Sequence, residues 1–343
     1  MQAGHNVVIR ETIRCYDWKT LGISLFLACL VSCTPAEPVG ERDVTIGVMP
    51  KLIGIDFFNA VERGALEAAE ELGVTVKYDG PPTNDVAAQA QMVETWIHRG
   101  YDAIAVAPND PDRIAPALTK AREKGIAVLT FDADAVSEAR EFFVNQATYA
   151  AVAHALVDVM VEGIGEQGKY VILTGSLTAA NQNLWIEEVE KYTRDKYPHM
   201  VNLRDTPLAS EEDQAKATQV TIDSLKANPE IEGIYAMTSV ALPGAAEGIR
   251  KADAVGKVFL TGLSTPNTMK PYVDDGIVQK FVLWSPVDLG YLTVHAAHRL
   301  LHGELVPGSI EAGRLGQIQV MGDVVLLGAP VTFDAANIDQ FDF

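Results

Sequence analysis

Asp132 and Asp134 stand two apart directly after the apolar run Ala127–Phe131 (AVLTF). Two carboxylates so placed can do acid–base work, or one can bind neutral hydroxyls while the other caps a helix. Paired catalysis wants a second acidic partner across a cleft and none stands out, so hydroxyl binding is expected. Gly163, Gly165 and Gly168 match the GxGxxG dinucleotide fingerprint. That site needs a strand before the glycines and a helix after, so that a helix N-terminus faces pyrophosphate. Here a helical pattern precedes and a strand follows from Tyr170, which makes the glycines a cap loop. His295, His298 and His302 fall at i, i+3 and i+7 on one helical face. Without acidic or thiolate ligands nearby in sequence they read as a partly exposed helix face, not a zinc site. There is no GxSxG elbow and no GxxxxGK[ST] loop, so neither cofactor nor metal is expected. Phe57 and Phe58 open a helix; one of a consecutive pair must leave the core, which puts an aromatic at a cleft edge.

The elements that position these residues alternate almost to the end of the chain. Strands are expected at 44–49, 74–78, 103–107, 127–131, 170–174, 233–237, 257–261 and 278–284. Helices are expected at 58–72, 87–98, 114–124, 149–161, 183–196, 211–227, 242–252, 268–275 and 287–302, several ended by glycine at the left-handed C′ position. The tail, 317–327, is β-rich and less regular. Such alternation builds parallel sheets with helices on both faces. There are too many strands for one sheet and the pattern restarts near residue 148, so the fold class is α/β with two doubly wound parallel-sheet lobes. Ligands then bind beyond the C-terminal strand ends, in loops 50–57, 108–112, 132–134, 175–182, 238–243, 263–267 and 285–288.

Length and composition agree. With 343 residues, 48% hydrophobic and 21% charged, two cored domains fit. A net charge of −19 repels phosphate backbones, so no nucleic-acid partner is expected. The first residues differ in kind: Arg10, Arg14 and Lys19 precede an uncharged run, 21–32, and then Cys33. A run of about 12 residues is short for a span of roughly 20 and reads as a signal-peptide core. Leu30-Val31-Ser32-Cys33 is similar to a bacterial lipobox, which makes 1–32 a lipoprotein signal peptide, Cys33 the lipidated residue and 33–42 a tether. The alternative is an ordinary export signal with an incidental cysteine. Removing the leader takes Cys15 and Cys29, so no internal disulfide is expected in an exported protein.

The strand-end loops carry a set of motifs in unbroken order. They are Pro50-Lys51-Leu52-Ile53-Gly54 with Phe57-Phe58, Tyr78-Asp79-Gly80-Pro81, Gly100-Tyr101-Asp102-Ala103-Ile104 and Leu129-Thr130-Phe131-Asp132-Ala133-Asp134. Next come Asn181-Gln182-Asn183-Leu184-Trp185, Ala241-Leu242-Pro243 and Ser264-Thr265-Pro266-Asn267. Met269-Lys270-Pro271-Tyr272-Val273, Leu283-Trp284, Asn337-Ile338-Asp339 and Phe341-Asp342-Phe343 complete the set. By these the chain resembles the type I periplasmic sugar-binding proteins of ABC importers, closest to the branch that holds rhamnose-binding and autoinducer-2-binding proteins. The resemblance implies two lobes joined by three crossovers, 43–146 plus 266–303 and 147–265 plus 304–343, which close over a small polyol and dock on a permease. It implies no catalysis and no cofactor.

The resemblance also implies a site. Lys51 and Asp132 match a lysine and an aspartate of the autoinducer-2 binders, whose Asp-Gln pair is here Asn181-Gln182 and whose Pro-Asp-Ala stretch is here Met237-Thr238-Ser239. An acidic ligand of ribose binders falls on Ser264 and a glutamine on Trp284. Fewer fixed polar partners and more apolar wall favour a sugar with an apolar edge, rhamnose or another 6-deoxyhexose. Lys51 and Asp132 would fix hydroxyls by charge-assisted bonds, while Phe57 or Phe58 and Trp284 cover C–H faces. Asn181, Gln182, Thr238, Ser239 and Ser264 would add neutral groups from the other lobe. Trp284 as core, and Thr238 and Ser239 as helix caps, are the packing alternatives. Asp132→Ala is expected to abolish binding while leaving the free protein's melting temperature near wild type.

The expectation is therefore a monomeric, lipid-anchored substrate-binding protein on the periplasmic side or cell surface. Its partners would be a sugar, permease subunits and, through Cys33, the membrane. The alternatives are an autoinducer-2 binder and a sensor that presents ligand to a membrane receptor. A transcription regulator would need a DNA-reading helix-turn-helix before residue 43, and an exported enzyme would need turnover.

Overall fold

The computed structural model describes residues 43–343. The signal-peptide, tether and Cys33 readings lie outside the described residues. Four parallel strands open the fold: β1 (Thr45–Met49), β2 (Thr75–Tyr78), β3 (Ala103–Val106) and β4 (Ala127–Phe131), with α1 (Asp56–Leu72), α2 (Val86–Arg99) and α3 (Pro111–Glu123) between them. A fifth, β5 (Phe142–Asn145), pairs parallel with β4. Caps explain where these helices begin and end. Asp85 accepts from Ala88 N, Asp110 accepts from Asp112 N and Arg113 N ahead of Pro111, and Gly73 and Gly100 close α1 and α2 in the left-handed region.

The chain then crosses to a second sheet. It runs through α4 (Tyr149–Ile164), β6 (Lys169–Thr174), α5 (Ala180–Lys196), β7 (Val201–Asn202), β8 (Leu208–Ala209), α6 (Gln214–Ala227), β9 (Gly233–Ala236), α7 (Ala241–Lys251), β10 (Phe259–Gly262) and α8 (Pro266–Asp274). Strand order is β10-β9-β6-β7, with β8 also on β6. β11 (Lys280–Leu283) touches the end of β10 through a parallel bridge between Leu263 and Val282. The chain recrosses into α9 (Pro286–Leu301), which packs on α1 and on β3, β4 and β5. β12 (Gly308–Glu311), β13 (Gln317–Met321) and β14 (Val324–Leu326) extend the first sheet, with β14 parallel to β5 and the other two antiparallel. A third crossing leads to β15 (Val331–Asp334), which pairs antiparallel with β11.

Two doubly wound parallel sheets joined by three crossings are thus present, with an antiparallel hairpin on the first sheet. The expected division of the later chain is corrected. Residues 266–284, expected with the first lobe, follow the second sheet through α8, which packs on α7, and through β11. Residues 308–326, expected with the second, belong to the first sheet. The physical reason is the one-sided burial of β13, whose alternate residues Ile318 and Val320 are buried while Gln317, Gln319 and Met321 are exposed. Such a strand suits an antiparallel extension of a sheet that keeps one face in solvent, here between β12 and β14.

The core runs beneath both faces of each sheet. β3 and β9 are buried at every position, which is why they read as continuous apolar runs. α1 and α9 cross closely because each carries a glycine at the contact. A Cβ on Gly64 would fall 1.8 Å from Val287 O, and one on Gly290 would fall 2.0 Å from Val61 O. This crossing fixes the N-terminal end of α1, and with it Phe57 and Phe58.

Candidate functional site

The strand-end loops of the two sheets meet over a cavity. Lys51, Leu52, Ile55, Phe57 and Phe58 line it from the β1–α1 segment and Asp132 from the end of β4. From the second sheet come Asn181, Gln182 and Trp185 on α5, Glu212 before α6, Met237, Thr238 and Ser239 after β9, and Leu263, Leu283 and Trp284. The lining is polar on one side and aromatic on the other.

The polar side is built around Lys51, whose position is set by its backbone. Asn109 Nδ2 donates to Lys51 O at 2.8 Å, and Asn109 N donates to Gln89 Oε1 at 2.9 Å. Gln89 Nε2 in turn donates to Ala107 O and Pro50 O, so a buried amide ties the ends of β1 and β3 together. The Lys51 ammonium donates to Asn181 Oδ1 at 2.8 Å and pairs with Asp132 Oδ2 at 3.6 Å. Asn181 Nδ2 donates back to Asp132 O and Oδ2 at 3.3 and 3.4 Å. Lys51 and Asp132 are 5% and 4% exposed, so this is a desolvated ion pair closed by an amide from the other sheet. Burial pushes the Asp132 carboxyl above its ordinary range; the Lys51 ammonium pulls it down and the Glu212 carboxylate pushes it up again.

Asp132 also has left-handed backbone, φ 61°. Few L residues adopt it, and Asp and Asn tolerate it best. Its neighbour Asp134 serves structure instead. Its carboxylate accepts from Thr130 Oγ1, Ala135 N and the Arg140 guanidinium. The expectation about Asp132→Ala is therefore changed in its second half. Alanine at 132 leaves Lys51 buried without its counter-ion and meets an unfavourable φ, so stability falls along with binding.

The aromatic side is packed edge to face. Phe57 lies 5.1 Å from Phe58 and 6.1 Å from Trp284, both near-perpendicular, and Trp185 lies 5.5 Å from Trp284. Both phenylalanines are buried and both line the cavity, so the cleft takes the whole pair rather than one of it, with Trp284 against Phe57. The indole N–H groups of Trp185 and Trp284 are buried and have no acceptor among the described residues.

Nine of the ten expected binding residues line the cavity together. Ser264 does not: it is fully buried and donates to Ser239 O at 2.9 Å, supporting the loop that carries Ser239. Thr238 lines the cavity and its hydroxyl receives a bond from Val240 N at 3.3 Å, but α7 has Val240 as its N-cap and no side-chain cap, so Thr238 and Ser239 do not serve as helix caps. Trp185 and Glu212 were missed. Trp185 stands inside a quoted motif and one helical turn after Asn181, a spacing that shares a face. Glu212 was hidden because 211–227 was read as continuous helix. The helix begins instead at Gln214, with Asp213 as cap, and Glu211 and Glu212 sit at φ 54° and 56°. The three histidines do not gather a metal, and among the described residues no cluster of potential ligands does. His295 is buried and lies 4.4 Å from the Tyr291 ring, while His298 is half-buried and His302 exposed, so the face they share is partly exposed as expected.

Residues 46–305 match the family model of the periplasmic binding protein domain. The chain belongs to that family. Two solved structures are similar over nearly the whole described chain. One is LsrB from Clostridium saccharobutylicum in complex with AI-2, 29% identical, covering 88% of this chain and 100% of that one, with TM-score 0.84. The other is a solute-binding protein from Clostridium phytofermentas with bound L-rhamnose, 28% identical, covering 87% and 98%, with TM-score 0.83. By sequence, the ribose import binding protein of Bacillus subtilis is 24% identical over 85% of this chain and 94% of its own length. This periplasmic binding protein is of the type I, sugar-binding class of ABC importers, and is a binding protein rather than an enzyme. Periplasmic binding proteins are exported, and the cavity between the sheets is where such a fold seats a ligand.

Proposed function

We propose that this protein is the lipid-anchored substrate-binding component of an ABC importer. It would take a 6-deoxyhexose, rhamnose or a near relative, between its two sheets and deliver it to the permease. The observation that carries this reading is the two-sided cavity. Lys51, Asp132, Asn181, Gln182, Thr238 and Ser239 face hydroxyls, while Phe57, Phe58, Trp185 and Trp284 form an apolar wall. A methyl group packs against that wall at no polar cost, whereas a buried hydroxyl left unpaired costs roughly 1–3 kcal/mol. Sugar oxygens would also give the indole N–H groups of Trp185 and Trp284 their acceptors.

The mechanism follows from which sheet supplies which group. In the described structure Lys51 and Asp132 bond directly to Asn181. Ligand hydroxyls would enter by replacing those bonds with their own, so that the sugar bridges both sheets and stabilises the closed form. The lipid on Cys33 would hold the protein beside the permease. The protein would work as a monomer.

Likeness to the AI-2 complex favours a second reading, autoinducer-2 binding, which keeps Lys51 and Asp132 in their matching places. A thermal-shift panel separates the two. Protein stripped of bound sugar by unfolding and refolding would be melted with rhamnose, other deoxyhexoses, ribose, galactose and autoinducer-2. At a hundred times the dissociation constant the true ligand adds about 2.7 kcal/mol. A shift with a deoxyhexose supports the first reading, and a shift with autoinducer-2 alone supports the second.

A further inference from the structure

Four non-glycine residues have left-handed backbone among the described residues, and two of them, Asp132 and Glu212, line the ligand cavity. Such backbone is costly outside glycine and persists where the surroundings enforce it, often at binding sites. Asp132 has an ion-pair partner in Lys51. Glu212 has none among the described residues. Its two oxygens accept from neutral groups, Gln182 Nε2 at 2.8 Å and Thr238 Oγ1 at 2.6 Å. Gln182 is itself fixed, because its Oε1 accepts from Thr174 Oγ1 and Gly175 N. Room for the carboxylate exists only because residue 175 is glycine: a Cβ there would lie 2.0 Å from Glu212 Oε1. A strained backbone, a glycine and two oriented donors thus hold one carboxylate at the cavity wall. With one lysine against two carboxylates, the lining carries an excess negative charge.

We propose that Glu212 is a specificity-determining residue that admits neutral polyols and rejects anionic sugars such as uronates and sugar phosphates. The proposal rests on the sugar-binding reading. Glu212 accepts a ligand hydroxyl beside Gln182 and Thr238, and its charge, on a half-buried side chain that water screens only in part, repels a ligand carboxylate or phosphate. Lys51 does not offset that repulsion, because Asp132 already pairs with it.

The test is a calorimetric comparison of ring-matched pairs on wild type and Glu212→Gln. L-rhamnose would be set against L-mannuronate, D-galactose against D-galacturonate, and D-galactose against D-galactose 6-phosphate. Wild type is expected to bind one neutral member at least about 100-fold more tightly than its acidic partner, and Glu212→Gln to cut that ratio about tenfold or more. Glu212→Gly, which relieves the backbone but also removes the bonds to Gln182 and Thr238, is expected to bind the neutral sugar more weakly and to lose discrimination as well. A wild-type ratio below about threefold, or a ratio that neither variant changes, overturns the proposal while sugar binding stands. Absence of heat with every neutral sugar overturns the sugar reading, and the proposal with it.

Discussion

The Lys51 ammonium donates to Asn181 Oδ1 at 2.8 Å, although the two residues lie 130 positions apart, one in the loop after β1 and the other in the first turn of α5. The contact joins the ligand-facing groups of the two sheets to each other. Asn181→Ala removes it together with the bonds to Asp132. Hydrogen bonds to charged groups contribute about 1.5–3 kcal/mol, so the ligand-free variant is expected to open more often. Small-angle scattering would record a larger radius of gyration than wild type without ligand. An unchanged radius would mean that other contacts hold the sheets together.

Asp132 separates two roles by the choice of substitution. Asp132→Ala leaves Lys51 buried and unpaired and is expected to cost about 3 kcal/mol of stability. Asp132→Asn tolerates the left-handed backbone and keeps an acceptor toward Lys51, so it should melt above Asp132→Ala. Both should lose ligand affinity at least tenfold, read by calorimetry. Equal melting temperatures for the two variants would contradict the structural half of this account.

The same carboxyl predicts a pH dependence. Its folded pKa is raised above the ordinary 3.8, chiefly by burial, so in the interval between 3.8 and the raised value the folded protein keeps a proton that the unfolded chain has released. The stability it contributes is complete below pH 3.8 and is lost as pH rises through the raised folded value. Melting temperatures of wild type and Asp132→Asn, followed downward from neutral pH, should therefore diverge in favour of wild type. A constant difference, or divergence the other way, would count against a raised Asp132.

Gly64 and Gly290 set the approach of α1 to α9. Alanine at either position must push the helices apart, because the new Cβ would meet backbone carbonyls. The expected loss is about 1–3 kcal/mol, with weaker ligand binding as Phe57 and Phe58 shift. Chemical denaturation and calorimetry on Gly64→Ala would check both. Wild-type stability would mean that the crossing relaxes freely.

Much of the architecture was legible because buried parallel strands and capped amphipathic helices write strong patterns, as AVLTF before Asp132 shows. The division between the sheets was not. β11 and β12–β14 are short, and their sheet membership is decided by pairing over long sequence separations, such as Val325 with Val144. The site was legible where a residue stood at a strand end or in a motif, as with Lys51, Asp132 and Asn181-Gln182. Ser264 was misplaced because matching a position does not tell which way a side chain turns. Glu212 was lost because two left-handed glutamates leave no mark in hydrophobic periodicity. Its presence adds a carboxylate that the expected site lacked, so the cavity is more polar than the sequence suggested.

The central claim is that the cavity between the sheets binds a neutral sugar against the paired indoles of Trp185 and Trp284. The most direct measurement is a titration of L-rhamnose into stripped protein, followed by heat and by tryptophan fluorescence in wild type and Trp284→Phe. The account predicts a single-site isotherm in wild type, a fluorescence change that saturates with it, and a smaller change with weaker binding in the variant. Rhamnose heat with no fluorescence change, or binding untouched by Trp284→Phe, would place the ligand elsewhere and contradict it.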